Sequence, residues 1–350
     1  MLRLTRRLAA PRLPLVVGGA GQVGRKMLAA LAEAGCTRAR VLDASARPVE
    51  RALAADLELE YTWHKLGHDS SEFLAPVLDG WRGLRLQPGH SRRAARDEGR
   101  AHARKRGGRK GDCGRVSACR CAEAGARFIN RSDWPLPSVE ATEEDALPPA
   151  EEYRSAYELS KRLGEEAVLA ACSSELATVS LRACGILSGP WDYTFRAMWD
   201  RPGNVITLEG TAPLDFIAAE DLCRAALAAA DRLQSPSVAG QVFFVTKGEA
   251  MRPERIAELI GEHLGWQVTK LPEFAQSCIS AGMRVSHGLK ELFGQPVPGV
   301  ASYDYLSLAR TQQTFDNSKA FHTLGFQSQV TLEECVARAV SEWRVSNPGK

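Results

Sequence analysis

The sequence predicts an α/β protein: a doubly wound parallel sheet followed by a smaller C-terminal lobe. Three observations predict it. Leu13–Val17 is an apolar run that ends in glycines, as a buried strand does before a tight turn. Val23, Met27, Leu28, Leu31 and Ala34 then recur at helical spacing until Gly35 supplies a stop. Arg40-Val41-Leu42-Asp43 reads as a second strand closing on a carboxylate. Strand, glycine turn, helix and strand form a βαβ unit, whose crossover is right-handed and whose strands pair in parallel. Repeated along a chain, such units give the Rossmann-type arrangement.

The later elements extend the same alternation. Ala126–Asn130 reads as a strand. Ser155–Ala171 reads as an amphipathic helix through Leu159, Leu163, Ala167, Val168 and Ala171, with Ser155 as its capping residue. Thr178–Leu187 and Gln241–Thr246 are strand-like, with a helix at Ala219–Asp231 between them. Pro253–Gly265 and Leu332–Trp343 are further helices, and Gly294–Ser307 between them is rich in Gly, Pro and Ser. The expected division is an N-terminal arm (1–12), a Rossmann core (13–187) and a mixed lobe (188–350) whose residues 214–248 return to the core. No internal repeat is visible.

The chain has 350 residues, enough for one large α/β domain or a domain with a smaller lobe. With 44% hydrophobic and 25% charged residues its composition is ordinary for a globular protein, which argues against wholesale disorder. The formal net charge of +3 is unevenly spread: residues 82–127 hold 14 Lys and Arg against four acids, and the remainder is acidic at −7. Nine cysteines without paired spacing read as free thiols in a reducing compartment. Cys119-Arg120-Cys121 is too tight for a zinc-knuckle pair, so no metal site is expected. No apolar run approaches the ~20 residues that span a bilayer. The basic start, Met1 to Leu8, reads as a solvated arm and leaves an organellar leader open.

Gly18-Gly19-Ala20-Gly21-Gln22-Val23-Gly24 carries the first functional signal. Gly18 permits a tight turn off the strand, Gly21 a close backbone approach to a pyrophosphate, and Gly24 close packing of helix on strand. The pyrophosphate then sits on the helix N-terminus, whose unpaired N–H groups and dipole favour anions. Asp43 lies 19 residues beyond Gly24, close to the spacing of a carboxylate that grips the adenosine ribose. It would repel a 2′-phosphate, which favours NAD over NADP, although nearby Arg47 leaves NADP open.

The second signal is Tyr157-Glu158-Leu159-Ser160-Lys161, a phenol and an ammonium at i and i+4 on one helix face. A phenol near pKa 10 is a poor base at neutral pH, and a neighbouring cation favours its phenolate. The pair can therefore serve as an acid/base, with the lysine also able to hold the nicotinamide ribose.

In this combination the chain resembles the extended short-chain dehydrogenase/reductases, and most closely their 3β-hydroxysteroid dehydrogenase/sterol-4α-carboxylate 3-dehydrogenase branch. The family's Thr-Gly-x-x-Gly-x-x-Gly is met by Val17 to Gly24, with Val in place of Thr. Its Tyr-x-x-x-Lys is met by Tyr157 to Lys161, followed by Gly164-Glu165-Glu166. Leu181-Arg182-Ala183-Cys184-Gly185-Ile186 resembles the strand leading to its nicotinamide-contacting turn, without the usual proline. Leu214 to Leu222, Gln241 to Thr246, and the tail Phe315 to Glu334 resemble its later strands and helices.

The resemblance implies NAD-dependent oxidation of a 3β-hydroxyl on a steroid or sterol, extending to a 4α-carboxysterol. Tyr157 would take the hydroxyl proton, Lys161 would lower its pKa and Ser132 would orient the oxygen. The implied partner is a small apolar alcohol or ketone, with peripheral contact to an internal membrane and a homodimer left open. Phe274, Met283, Val285, Leu289, Leu292 and Phe293 suit an apolar partner, and core packing accounts for them equally well. A sugar-nucleotide epimerase or reductase of the same superfamily, and a catalytically impaired NAD-binding protein, are the alternatives.

Two places depart from the family pattern. Where the family carries Tyr-Thr-Ser-Ser, this chain has Asn130-Arg131-Ser132-Asp133, and a carboxylate at the acting position cannot donate to a developing alkoxide. Where an apolar strand and a long helix are expected, residues 82–127 give Arg- and Gly-rich text with almost no apolar period. A shifted reading frame or gene-model error accounts for that segment best, a true insertion next. Arg104-Lys105-Arg106-Gly107-Gly108-Arg109-Lys110 resembles a nucleic-acid patch but lacks interleaved aromatics on an otherwise acidic chain, so no nucleic-acid partner is expected.

Overall fold

The computed structural model describes residues 14–44, 57–63, 125–130, 138–153, 156–196, 198–199, 202–292 and 309–348, with backbone alone at 63, 125–130, 156–158, 193, 283–284 and 287–292. Strand β1 (Leu15–Val17) is fully buried and leads through the glycine turn into helix α1 (Gln22–Glu33). Met27, Leu28 and Leu31 of α1 have no exposed surface, so the helical apolar period is the face that packs on the sheet. Strands β2 (Arg38–Asp43) and β3 (Glu58–Trp63) continue in parallel, in the order β1-β2-β3.

A second three-stranded sheet begins with β4 (Gly125–Asn130), followed by the short strand β5 (Ser138–Ala141) and helix α2 (Ala156–Ala170). Strand β6 (Thr178–Ala183) is buried at all six positions, as a strand covered on both faces must be. A single strand over Thr178–Leu187 was expected, but the chain leaves the sheet at Cys184. Strand β7 (Gly185–Leu187) pairs instead with β9, because Gly185 lies against the Phe216 ring, where a Cβ would come within 2.6 Å of Cδ1.

Helix α3 (Tyr193–Arg196), β8 (Asn204–Leu208), β9 (Phe216–Ala218), α4 (Ala219–Asp231) and β10 (Val242–Val245) follow. β6 is central in the parallel order β10-β6-β4. Among the described residues no strand joins β1 to β4, and the basic segment 82–127 lies almost wholly outside them.

The remaining elements are α5 (Pro253–Leu264), β11 (Gln267–Leu271), α6 (Glu273–Leu292), β12 (Gln313–Phe315), α7 (Ser318–Leu324) and α8 (Leu332–Ser346). α5 starts on Pro253 and ends at Gly265 in the left-handed region, the Pro-in, Gly-out pattern of its sequence. α8 opens with a reciprocal capping box between Thr331 and Glu334.

Two apolar clusters result. One joins the two three-stranded parallel sheets through Val16, Met27, Val41, Leu181, Leu222 and Phe243. The other lies in the C-terminal part around Leu187, Phe195, Val205, Ile260, Val336 and Trp343, with Trp199 stacked on Trp343 at 5.3 Å between ring centroids. A buried carboxylate fastens the last segment. Asp221 of α4, with no exposed surface, accepts from Ser328 Oγ at 2.7 Å and from the backbone N–H groups of Gln329 and Val330, each at 3.0 Å.

Candidate active site

The glycine turn is held by backbone geometry. Gly18 sits at φ +79°, a conformation L side chains rarely adopt, and its N–H donates to Leu42 O at 2.7 Å. A Cβ on Gly24 would lie 2.2 Å from Gly18 O and 2.6 Å from Gly19 Cα, so the expected close packing of helix on turn is observed. Gly19 faces Val41 of β2, where a Cβ would come within 2.6 Å of Cγ1.

Asp43 reaches back to the turn: its Oδ2 accepts from the Ala20 N–H at 2.9 Å. The structure therefore gives this carboxylate a loop-holding contact that the spacing alone did not reveal. Arg25 Nε donates to Ala20 O at 3.0 Å, closing the turn from its other side. The cap residue of α1 is Gly21, with no side-chain cap and no acid in the first turn. A helix start of that kind presents Gln22, Val23 and Gly24 N–H groups without a competing side chain, which fits a diphosphate.

A second loop meets this helix start. Ser188, which follows β7, donates from Oγ to Gln22 Oε1 at 2.6 Å. The loop is shaped by Asp192, whose carboxylate accepts from Ser188 N–H at 2.9 Å and from Phe195 N–H at 3.0 Å. Burial pushes the Asp192 carboxyl up to about 6, while those backbone donors pull the other way. Asp215, at the entry to β9, is likewise raised to about 6 by burial and accepts from Phe315 N–H at 2.8 Å.

Helix α2 brings the third component. Tyr157 lies in its first turn and Lys161 one turn on, buried at 8% exposure. The Tyr157 side chain, Ser132 and Ser155 lie outside what the structure describes. One further turn along, Glu165 is 3% exposed and meets Arg182 of β6. Arg182 Nη2 donates to Glu165 Oε1 at 2.6 Å, Nε to Oε2 at 2.9 Å, and Ser180 Oγ to Oε2 at 2.8 Å. This buried pair went unread in the sequence, although Glu165 stands at i+4 from Lys161 and that spacing was the available signal. Ser188 and Asp192 carried no comparable signal, because their contacts span loops. Among the described residues no group of three or more His, Cys, Asp or Glu could hold a metal ion, and no helix is long and apolar enough to cross a membrane.

The fold and its glycine turn are of the Rossmann type. Over most of both chains it is similar to the solved structure of MoeE5 in complex with UDP-glucuronic acid and NAD: 95% of this chain and 99% of that one, TM-score 0.62 at 17% identity. It is similar also to a UDP-glucose 4-epimerase of Thermotoga maritima, covering 95% of this chain and 99% of that one, with TM-score 0.61 at 17% identity. At such identities the likeness is one of fold.

Sequence matches narrow the class. Residues 136–274 match the 3-beta hydroxysteroid dehydrogenase/isomerase family. Over 212 residues the chain is 28% identical to the decarboxylating sterol-4-alpha-carboxylate 3-dehydrogenase of Schizosaccharomyces pombe, covering 57% of this chain and 59% of that one. It is 26% identical over 213 residues to 3beta-hydroxysteroid-dehydrogenase/decarboxylase isoform 1 of Arabidopsis thaliana, covering 57% and 48%. These matches are to the 3β-hydroxysteroid dehydrogenase branch, the one that the motifs of the chain resemble. The matched stretches span only about half the length of these curated relatives.

Proposed function

We propose that the chain is an oxidoreductase acting on a CH–OH group, and that it oxidises the 3β-hydroxyl of a steroid or sterol, including a 4α-carboxysterol, with NAD. The observation that carries this reading is the coexistence of two parts in one chain. One is a glycine turn clamped by Asp43. The other is the Tyr157–Lys161 spacing inside the stretch matched to the hydroxysteroid dehydrogenase family.

In this reading Gly18, Gly19, Gly21, Gln22, Val23 and Gly24 hold the pyrophosphate, and Asp43 holds the adenosine ribose. The carboxylate disfavours the 2′-phosphate of NADP. When bound, the nicotinamide supplies the hydride acceptor. Tyr157 takes the proton of the substrate hydroxyl, Lys161 stabilises the phenolate and grips the nicotinamide ribose, and Ser132 orients the substrate oxygen. For a 4α-carboxylated substrate the product is a β-keto acid, which can lose CO2. Residues 188–350 form the substrate lobe, with 214–248 returning to the core. Phe274 and Val285, exposed on α6, suit an apolar substrate or a membrane surface.

The test is turnover. Purified chain is mixed with NAD and a 3β-hydroxysteroid, and absorbance of the reduced nicotinamide is followed; the expected result is a rise that Tyr157→Phe abolishes. Turnover with a UDP-sugar instead would assign the epimerase chemistry, and cofactor binding without any turnover would leave a binding protein. Light scattering on the same preparation tests the homodimer.

A further inference from the structure

Two charged side chains converge on the peptide of Ala20, inside the glycine turn. Asp43 Oδ2, from the end of β2, accepts from the Ala20 N–H at 2.9 Å, and Arg25 Nε, from the first turn of α1, donates to Ala20 O at 3.0 Å. A carboxylate and a guanidinium thus flank one residue at the carboxyl ends of β1 and β2, where ligands of such sheets bind. Tyr61 of β3 stands within the field of both. Burial pushes its phenol up, the Asp43 charge adds to that and the Arg25 charge opposes it. Ala20, Arg25, Asp43 and Tyr61 are all partly exposed, so a ligand can reach them.

Arg25 differs from the other described cations of this βαβ unit in what holds it. Lys26 pairs with Glu220 at 2.9 Å, Arg38 with Glu58 at 3.3 Å, and Arg40 with Glu60 at 2.8 Å. Among the described residues Arg25 is held by a carbonyl instead, through Nε. That bond fixes the guanidinium beside the carboxylate assigned to the adenosine ribose, with Nη1 and Nη2 still able to donate. Arg47, the cation that the sequence offers for a 2′-phosphate, lies outside the described residues. A phosphate on the ribose is repelled by a carboxylate alone, and a guanidinium at the same place accommodates it through paired N–H donors.

We propose that Arg25 is a specificity-determining residue, which gives the adenosine 2′-phosphate a charged partner that offsets Asp43. The turn then accepts NADP as a second cofactor behind NAD. The inference rests on the proposed seat of the adenosine ribose at Asp43 and deepens it.

The experiment reads binding and needs no turnover. NADH and NADPH are titrated into the full chain at one ionic strength, and nicotinamide fluorescence is followed. The wild type is expected to hold NADPH no more than about tenfold more weakly than NADH. Arg25→Gln keeps a donor for Ala20 O and gives up the charge. It is expected to weaken NADPH about tenfold or more and NADH less than about threefold. Arg25→Lys keeps the charge without the fork and is expected to fall between the two. A purely structural role predicts equal losses of both cofactors, and equal losses overturn the proposal. So does a wild type that binds NADH and leaves NADPH unbound, or a loss of NADPH in Arg47→Gln that Arg25→Gln does not show. A folded wild type that binds neither cofactor instead overturns the seat of the dinucleotide at the glycine turn.

Discussion

The glycine turn and helix α2 bring the two halves of the candidate site into place by different physics. At the turn, shape is enforced by exclusion: Gly24 leaves no room for one more carbon against Gly18 O, and the contacts are made by backbone. At α2, position is enforced by attraction between two buried charges, Glu165 and Arg182, that no apolar layer replaces. A site built by exclusion fails abruptly when an atom is added. A site built by paired charges fails when one partner is removed and tolerates removal of both.

That contrast can be broken most severely at Gly24. Gly24→Val is expected to abolish NAD binding in titration calorimetry and to destabilise the fold by several kcal/mol, because the atoms a Cβ meets are backbone and cannot rotate away. Next in size is Glu165→Ala, expected to cost about 3–5 kcal/mol in denaturant unfolding, since it strands a buried guanidinium; Glu165→Leu/Arg182→Met is expected to stay within about 1 kcal/mol of wild type or to exceed it. Equal losses in the single and double variants would erase the distinction drawn above.

Asp43→Asn keeps an acceptor for the Ala20 N–H and gives up the charge. It is expected to weaken NAD about tenfold or more while narrowing the preference over NADP, read by nicotinamide fluorescence. A pH-dependent effect falls on Asp215. Its carboxyl is raised to about 6 in the folded chain from an unfolded value near ~3.9, so the folded state holds the proton more tightly. Its ionisation therefore lowers stability progressively as pH rises from about 4 to 6, by up to ~3 kcal/mol, with no further change above. The stability of wild type relative to Asp215→Asn should fall across that window and be flat beyond it. Smallest is Ser188→Ala, which removes one exposed hydrogen bond to Gln22 and is expected to change NAD affinity by less than about threefold.

The same contrast explains what the sequence made legible. Gly18 and Gly24 are read directly because few other residues tolerate their backbone positions, and the helix after them announces itself by period. Ala219–Asp231 and Pro253–Leu264 were legible for the same local reasons: an acidic first turn and an apolar stripe in both, and a glycine stop after the second. β6 hid its polar cargo, because Ser180 and Arg182 sit in a strand buried on both faces, where alternation carries no information. The break at Cys184 depended on Phe216, far along the chain, and the Ser188–Gln22 contact on a separation of 166 residues. Local geometry writes itself into neighbouring letters; partnerships across the fold do not.

Asp221 has a consequence for how the chain can be made. Its carboxylate sits without solvent on α4 and is satisfied by Ser328, Gln329 and Val330, 107 to 109 residues later. Until those residues leave the ribosome, α4 can dock only with Asp221 held by Arg224 of its own helix and short of the three donors that complete its shell. Docking of α4 is thereby coupled to a segment more than a hundred residues downstream, and a chain cut before Ser328 is expected to melt at lower temperature than the full one.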